Sequence, residues 1–427
     1  MTRVLLLATT TGYQTRTFGE AAERLGVELV FATDRCHLID DPWRDAAIPI
    51  RFYDETASVE AILSAARERA IDGIVAVGDR PTVIAARVAN ALGLPWHTAD
   101  GAAIARNKLR TRERLRDAGL PVPWFQPFDL GPNVTASVTD VTTSVPFPCV
   151  LKPVALSGSR GVMRADDRAS LAAAVERLRA LMRSPDIRAE RNDAHDDALV
   201  EGFIPGREYA IEAVLHHGAM HPLAIFAKPD PLDGPFFEET IYVTPPELTR
   251  DAETAIVDAV ARAAAAIGLY HGPIHAECRI NDSGVFVLEV AARPIGGLCA
   301  RALRFENTPD PFLSLEEIQL RHALGETPDA WQREACAAGV MMIPIPRRGV
   351  FKRVDGVDAA SEVAHVDEVV ITAKTDQLLV PLPEGASYLG FIFARADSAR
   401  GVESALRDAH ARLHFTIDAE FAVRASV

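Results

Sequence analysis

The residues best suited to chemistry lie in GPIHAECRINDSGVFVLEVAARPIGG, residues 272–297, where Glu289 interrupts an otherwise apolar run. A buried, unpaired carboxylate is costly, so such a residue is paired, protonated or bound to a metal. The preceding IHAECRI also has strand composition, and Asn281, Asp282, Ser283 and Gly284 between the two runs are turn formers, which predicts a β-hairpin. With a three-residue loop of Asp282, Ser283 and Gly284, Asn281 pairs with Val285 and Glu277 falls directly opposite Glu289. Paired residues on one face have Cβ atoms roughly 4.5–5.5 Å apart, where like charges repel. Mg²⁺ is the natural ion between them, being held by one or two carboxylates and substrate phosphates. Alternation brings Ala291 and Arg293 to the face of Glu289. A two-residue turn would instead put the glutamates on opposite faces, leaving one exposed acid and one structural ion pair.

Other elements must bring partners to this hairpin. In the first hundred residues, strands such as RVLLLAT, VELVFAT and GIVAVGD alternate with helical stretches, a Rossmann-like pattern. Its first turn lacks GxGxxG, which disfavours an NAD enzyme. Thr9 to Gly12 read as an ordinary βα loop. The pattern changes at NKLRTRERLRDAGLPVPWF, a basic helix ended by Gly119, so a domain boundary falls near residue 105. After a Thr- and Ser-rich connection, residues 131–145, the strand CVLKP ends near Lys152 and leads into Ser157-Gly158-Ser159-Arg160-Gly161. Such a loop offers backbone N–H groups to phosphate oxygens, and Lys152 and Arg160 add positive charge; a plain turn fits it equally. It is not a Walker A loop.

The polar run SPDIRAERNDAHDDA reads as solvated loop. ALVEGFIPGREYAIEAVLHHG reads as strand, turn and strand, a surface hairpin with Glu201 and Glu208 as its acidic ends. Glu239 in FFEETIYVTPP reads as an exposed loop acid. The last hundred residues read as a compact α+β unit without a charged constellation.

A chain of 427 residues has material for two or three domains. Its net charge of −14 argues against a nucleic-acid surface and for small-molecule chemistry. Cys36, Cys149, Cys278, Cys299 and Cys336 are scattered without a CxxC pair, which suggests reduced thiols rather than a zinc site or disulfides. The apolar run in MTRVLLLATTTG is too short for a signal peptide or membrane span, so the expected location is cytoplasmic, with no membrane partner.

In their order and spacing these pieces resemble the ATP-grasp superfamily. The resemblance implies an α/β and α+β architecture: a Rossmann-like domain over residues 1–105, a two-lobed ATP-grasp domain over 106–325 with its lid lobe at about 145–203, and a C-terminal α+β domain over 326–427. It implies ATP and Mg²⁺ as cofactors, with Mn²⁺ an alternative ion. Lys108 and Lys152 match the two lysines that reach ATP phosphates, and Ser157 to Gly161 match the mobile lid. Glu201, Gly202, Phe203 and Ile204 resemble the hinge that holds adenine, and Glu208 falls where a ribose-binding acid is expected. Glu277 and Glu289 match the metal pair, and Arg293 the arginine that steadies the transferred phosphoryl group. Many relatives carry Asn two residues after the second metal glutamate; here that residue is Ala291. EVAARPIGG and QLLVPLPEGASYLGFIFARA resemble the L-amino acid ligase branch, which joins an amino acid carboxylate to a second amino acid's amine through an acyl phosphate. On that resemblance Gly296 and Gly297 present N–H groups to the substrate carboxylate, His275 contacts substrate and Glu239 lies near the amine. A homodimer is common among such ligases, though no feature of the sequence establishes one. The competing readings are a purine-pathway or biotin carboxylase-like ligase, and a non-catalytic ATP sensor.

Overall fold

The computed structural model describes residues 2–9, 12–34, 47–131, 145–306 and 312–420. Thr10, Thr11, Cys36 and most of the Thr- and Ser-rich connection lie outside them. Strands β1 (Arg3–Ala8), β2 (Glu28–Thr33), β3 (Ile48–Pro49) and β4 (Gly73–Val77) form a parallel sheet in the order β3-β2-β1-β4. The central strands RVLLLA and GIVAV are almost wholly buried, as a parallel sheet covered on both faces requires. Helices α1 (Gly12–Leu25), α2 (Glu55–Glu68) and α3 (Thr82–Leu92) accompany it, and α4 (Ala99–Ala105) follows.

Helix α5 (Lys108–Asp117) starts where Asn107 caps the Arg110 amide. A second, antiparallel sheet follows, built from β5 (Phe125–Asp129), β6 (Cys149–Pro153), β7 (Met163–Ala165) and β8 (Asp197–Gly202) in the order β5-β8-β6-β7. Helix α6 (Arg168–Met182) packs its apolar face on this sheet. The polar run 184–198 is not a solvated loop. It forms α7 (Pro185–Arg188) and a 3-10 turn at Asp193–Asp196, and Ile187 and His195 are buried beneath it.

The large sheet begins with β9 (Arg207–His216), β10 (Ala219–Ala227), β11 (Ile241–Thr244), β12 (Gly272–Asn281) and β13 (Gly284–Ala291), with α8 (Arg250–Ile267) packed against it. A short pair, β14 (Arg304–Glu306) and β15 (Phe312–Ser314), precedes α9 (Leu315–Ala323), which packs on α1 and β4 of the first sheet. Of the remaining strands, β16 (Ala337–Ile343), β18 (Val366–Ile371) and β20 (Gly390–Ala396) extend the large sheet to β13-β12-β9-β10-β11-β16-β20-β18. β17 (Gly349–Asp355), β19 (Leu378–Leu379) and β21 (His414–Asp418) form a small sheet, while α10 (Val357–Ser361) packs on β18 and α11 (Ala399–His410) on β16 and β20 of the large one. The large sheet thus runs unbroken across residue 326. No helix among the described residues is long and apolar enough to cross a membrane.

Two local features set the site. First, β8 and β9 do not pair as a surface hairpin; they belong to different sheets, and Glu201 and Glu208 are both buried. The turn between them closes tightly on β12: Gly206 has φ +121°, and a Cβ there would lie 2.1 Å from the Ile280 carbonyl oxygen. Second, the β12–β13 turn has two residues, with Asn281 paired to Gly284, because the Asn281 side chain accepts from the Ser283 amide. That alone would offset the glutamates. A bulge in β13 shifts the register between Cys278↔Val287 and Glu277↔Glu289, so Glu277 still faces Glu289.

The bulge has a clamp. Arg112 of α5, 1 % exposed, donates from Nη1 to the carbonyls of Val287 (2.9 Å) and Leu288 (3.1 Å), and from Nε and Nη2 to Glu201 of β8 (2.7 and 3.2 Å). One guanidinium therefore joins α5, the second sheet and the bulge of the large sheet. Removing it leaves the buried Glu201 with Lys152 alone and takes the Arg112 donors away from both carbonyls. Arg112→Ala is expected to lower unfolding stability by about 3–5 kcal/mol, and Arg112→Lys to recover little of it, since a compact ammonium cannot span the fork; denaturant unfolding of the three proteins checks this.

Candidate active site

A cavity of about 580 Å³ opens between the second sheet and the large sheet, and one of about 480 Å³ adjoins it against the first sheet. Lys108, Ser157, Glu289, Arg293, Gly296 and Gly297 line both, so the two cavities meet along this row.

Lys108 stands at the first turn of α5, with Nζ 2.6 Å from the Leu156 carbonyl oxygen and 3.2 Å from Glu289. Lys152, on β6, is 2.5 Å from Glu201. Burial opposes ionisation of Glu201, but Arg112 and Lys152 outweigh it and hold the carboxyl at about 2. Burial pulls Lys152 down and Glu201 pushes it back only in part, leaving it at about 8. Gly202, Phe203 and Ile204 line the apolar end of the larger cavity with Leu232 and Phe237. Phe203 and Phe237 stack there, 6.4 Å between centroids.

Ser157, Gly158 and Ser159 border the larger cavity, but Arg160 does not. Its Nε donates to the Glu384 carbonyl at 2.7 Å and its Nη2 to Asp186 at 2.7 Å, while the Gly161 amide donates to the Pro383 carbonyl. The expected positive charge over the cleft is therefore supplied by lysines, and Arg160 instead docks the loop on the C-terminal segment.

A charge cluster occupies the large-sheet wall. Lys228 Nζ lies 2.8 Å from Glu208, 2.5 Å from Glu239 and 2.8 Å from Glu277. Arg279 also donates to Glu208, at 2.8 Å. Glu239 is therefore no exposed loop acid: burial first, then the neighbouring Glu277, raises it to about 7. Burial works against the charge on Glu277 too, yet Lys228 and His275 hold it well below the usual carboxylate range. His275 sits between Glu212 (Nδ1, 3.1 Å) and Glu277 (Nε2, 3.7 Å); burial would lower it, and the two acids raise it to about 9. Ala291 pairs with His275 across the strands, so the polar group beside this position is an imidazole on the neighbouring strand. Arg293 donates to Asp79, just after β4, at 2.9 Å, and the Ile295 amide donates to Glu212 at 3.1–3.2 Å. The Asp79 contact ties the hairpin's exit to the first sheet.

Lys228, Glu212, Asp79 and Arg112 were not singled out in the sequence. Three had visible signals: Glu212 breaks the apolar run YAIEAVL just as Glu289 breaks its own, and Lys228 in IFAKP ends an apolar strand before proline as Lys152 does. Arg112 and Leu115 also recur at helical spacing from Lys108, which marks one face of α5.

A hard cation fits here by donor chemistry. Glu277 and Glu289 face each other at the cavity wall and offer carboxylate oxygens, as Mg²⁺ requires.

Comparison with known proteins agrees with this geometry. Family models match residues 19–96 (ATP-grasp N-terminal domain), 145–302 (ATP-grasp domain) and 341–418 (L-amino acid ligase C-terminal domain 2). The crystal structure of an L-amino acid ligase from Bacillus licheniformis superposes with a TM-score of 0.77 at 27 % identity, covering 98 % of this chain and 99 % of that one. A D-alanine–D-alanine ligase of Gloeobacter violaceus is 30 % identical over 53 % of this chain and 72 % of its own. Carnosine synthase 1 of Gallus gallus is 28 % identical over 69 % of this chain, which spans only 33 % of that longer protein. The chain belongs to the ATP-grasp superfamily and resembles its L-amino acid ligase branch. It is an ATP-dependent, ADP-forming ligase of carbon–nitrogen bonds.

Glu201 gives a pH test. Its folded value, about 2, lies below the ordinary 4.5, so its contribution is full above pH 4.5 and is lost as pH falls toward 2. The stability gap between the protein and Glu201→Gln, measured by denaturant unfolding, is expected to be largest near neutrality and to close over that acid window.

Proposed function

We propose that the protein joins the carboxylate of one amino acid to the amine of another, through an acyl phosphate, with release of ADP and phosphate. The observation that carries this is the convergence of Lys108, Lys152, Glu277, Glu289 and Arg293, from three chain segments, on one cleft. The reaction brings together a carboxylate and the γ-phosphate of ATP, both anionic. Bringing them into line against that repulsion is an electrostatic and positional task.

In this reading Phe203, Phe237 and Leu232 form the apolar slot for adenine, with the backbone of Glu201 to Ile204 along its edge. Glu208, fixed by Lys228 and Arg279, offers lone pairs to the ribose hydroxyls. Lys152 and Lys108 hold the phosphates, and Ser157 to Ser159 cover them and exclude water from the intermediate. Glu277 and Glu289 would hold Mg²⁺, which supplies charge neutralisation on the phosphate oxygens. Arg293, set by Asp79, steadies the transferred phosphoryl group. Gly296, Gly297 and His275 stand beside the acceptor carboxylate. Glu239, at about 7, is poised to take the proton of the attacking amine. Amine attack on the acyl carbon then expels phosphate and leaves an amide.

Three outcomes check this. ADP release, with mass spectrometry of products across a matrix of amino acid pairs, should depend on the pair and yield an amide. Glu289→Ala and Arg293→Ala should each lower kcat by about 10²–10³; ADP release without an amide in any mixture would refute the reading. Because Lys152 titrates at about 8 and must carry its proton to hold phosphate, kcat/KM for ATP should fall as pH rises through 8. In Lys152→Arg that alkaline fall should disappear, whatever the activity that remains.

A further inference from the structure

A second constellation lies away from both cavities. His216 ends β9, His271 immediately precedes β12 and His322 lies in the last turn of α9. Glu208 and His216 are eight residues apart on one strand, roughly 27 Å at about 3.4 Å per residue. None of the three histidines lines the catalytic cavities.

Their nitrogens converge. His216 Nδ1 is 3.2 Å from His322 Nε2, and one nitrogen from each of the three rings lies within 4.8 Å of the others. The rings of His271 and His322 stack at 4.3 Å, and that of His216 stands 5.2 Å from His271 and 5.4 Å from His322. Tetrahedral zinc with Zn–N bonds of about 2.0–2.1 Å needs nitrogens about 3.4 Å apart. The His216–His322 pair already has that spacing, while the His271 ring, stacked 14° from the plane of His322, must turn as well as approach to aim a nitrogen at a shared ion.

The polar bookkeeping of the cluster is incomplete without a ligand. His271 and His322 are each only 2 % exposed, and His271 Nε2 is buried with no hydrogen-bond partner. The other His271 nitrogen meets only the His217 amide, at a long 3.4 Å. A buried polar atom left alone in this way costs free energy. Burial, and then the neighbouring rings, lowers His271 to about 3 and His322 to about 4, which leaves their lone pairs available at neutral pH. Asp329 lies 3.8 Å from the neighbouring His221.

We propose that His216, His271 and His322 form a zinc site. An all-imidazole donor set suits Zn²⁺ and not Mg²⁺, and a water or His221 would complete the shell. The ion would join the end of β9, the entry to β12 and α9. Since α9 packs on the first sheet, zinc would tie that sheet to the large one.

The test uses untagged, chelator-stripped full-length protein titrated with ZnCl₂ by calorimetry. The expected result is one Zn²⁺ per chain at this site, a rise in the thermal midpoint, no such effect of Mg²⁺, and the intense visible absorption of tetrahedral Co²⁺ when cobalt replaces zinc. His271→Gln and His322→Gln, which keep volume and hydrogen-bonding capacity, should each weaken binding at least about 100-fold, while His414→Gln, an exposed residue elsewhere, should not. Zinc that binds equally well to both cluster variants, or wild-type protein that shows neither Zn²⁺ binding nor a tetrahedral Co²⁺ spectrum, overturns the proposal. Should the variants fail to fold, the cobalt spectrum of the wild-type protein decides.

Discussion

The guanidinium of Arg112 is the joint on which the site depends. It binds Glu201 on the second sheet and the carbonyls of Val287 and Leu288 on the large sheet, and it rides on the helix that also presents Lys108. Those two carbonyls flank the bulge that restores Glu277 to a position opposite Glu289. Arg suits the place because its planar fork can satisfy several acceptors in fixed directions at once. The same Glu201 carboxylate that receives Arg112 also receives Lys152, so Lys152, the second sheet and the β12–β13 hairpin share one buried network.

Around this joint, charges alternate. Lys108 faces Glu289, Lys228 is shared by Glu208, Glu239 and Glu277, His275 stands between Glu212 and Glu277, and Arg293 leans on Asp79. Each cation is held by acids, which fixes its position before any substrate arrives. Fixed charges in a site of low dielectric need little reorganisation when new charge develops. In the Lys228 group three acids share one ammonium, with Arg279 also on Glu208 and His275 beside Glu277.

Much of this was legible in the sequence because it rests on local signals. Glu289 in VFVLEVAA, Lys152 before proline and the small-residue loop at Gly158 each announce themselves within a few residues. A three-residue loop predicts the pairing of Glu277 with Glu289; the structure has the two-residue turn, which by itself separates them, and reaches the same pairing through a bulge. The bulge is set by Arg112, distant in sequence, and a hairpin read alone cannot contain it. Arg160 shows the same limit: its neighbours suggested a phosphate loop, but its partners are Glu384 and Asp186. Glu208 and Glu201 looked like surface acids because the turn at Gly206 looks like a hairpin turn; it is in fact a crossing between two sheets. The C-terminal strands were visible one by one, and their addition to the large sheet was not, since sheet order is a property of the whole chain.

The central claim is that a carboxylate oxygen attacks phosphorus in this cleft and leaves with phosphate. It is tested most directly by running the reaction with an amino acid labelled with oxygen-18 in its carboxylate, paired with the amine that supports ADP release, and analysing the inorganic phosphate by mass spectrometry. The account predicts one labelled oxygen in each phosphate released. Phosphate free of label, with the departing carboxylate oxygen found instead in AMP or in water, would contradict it.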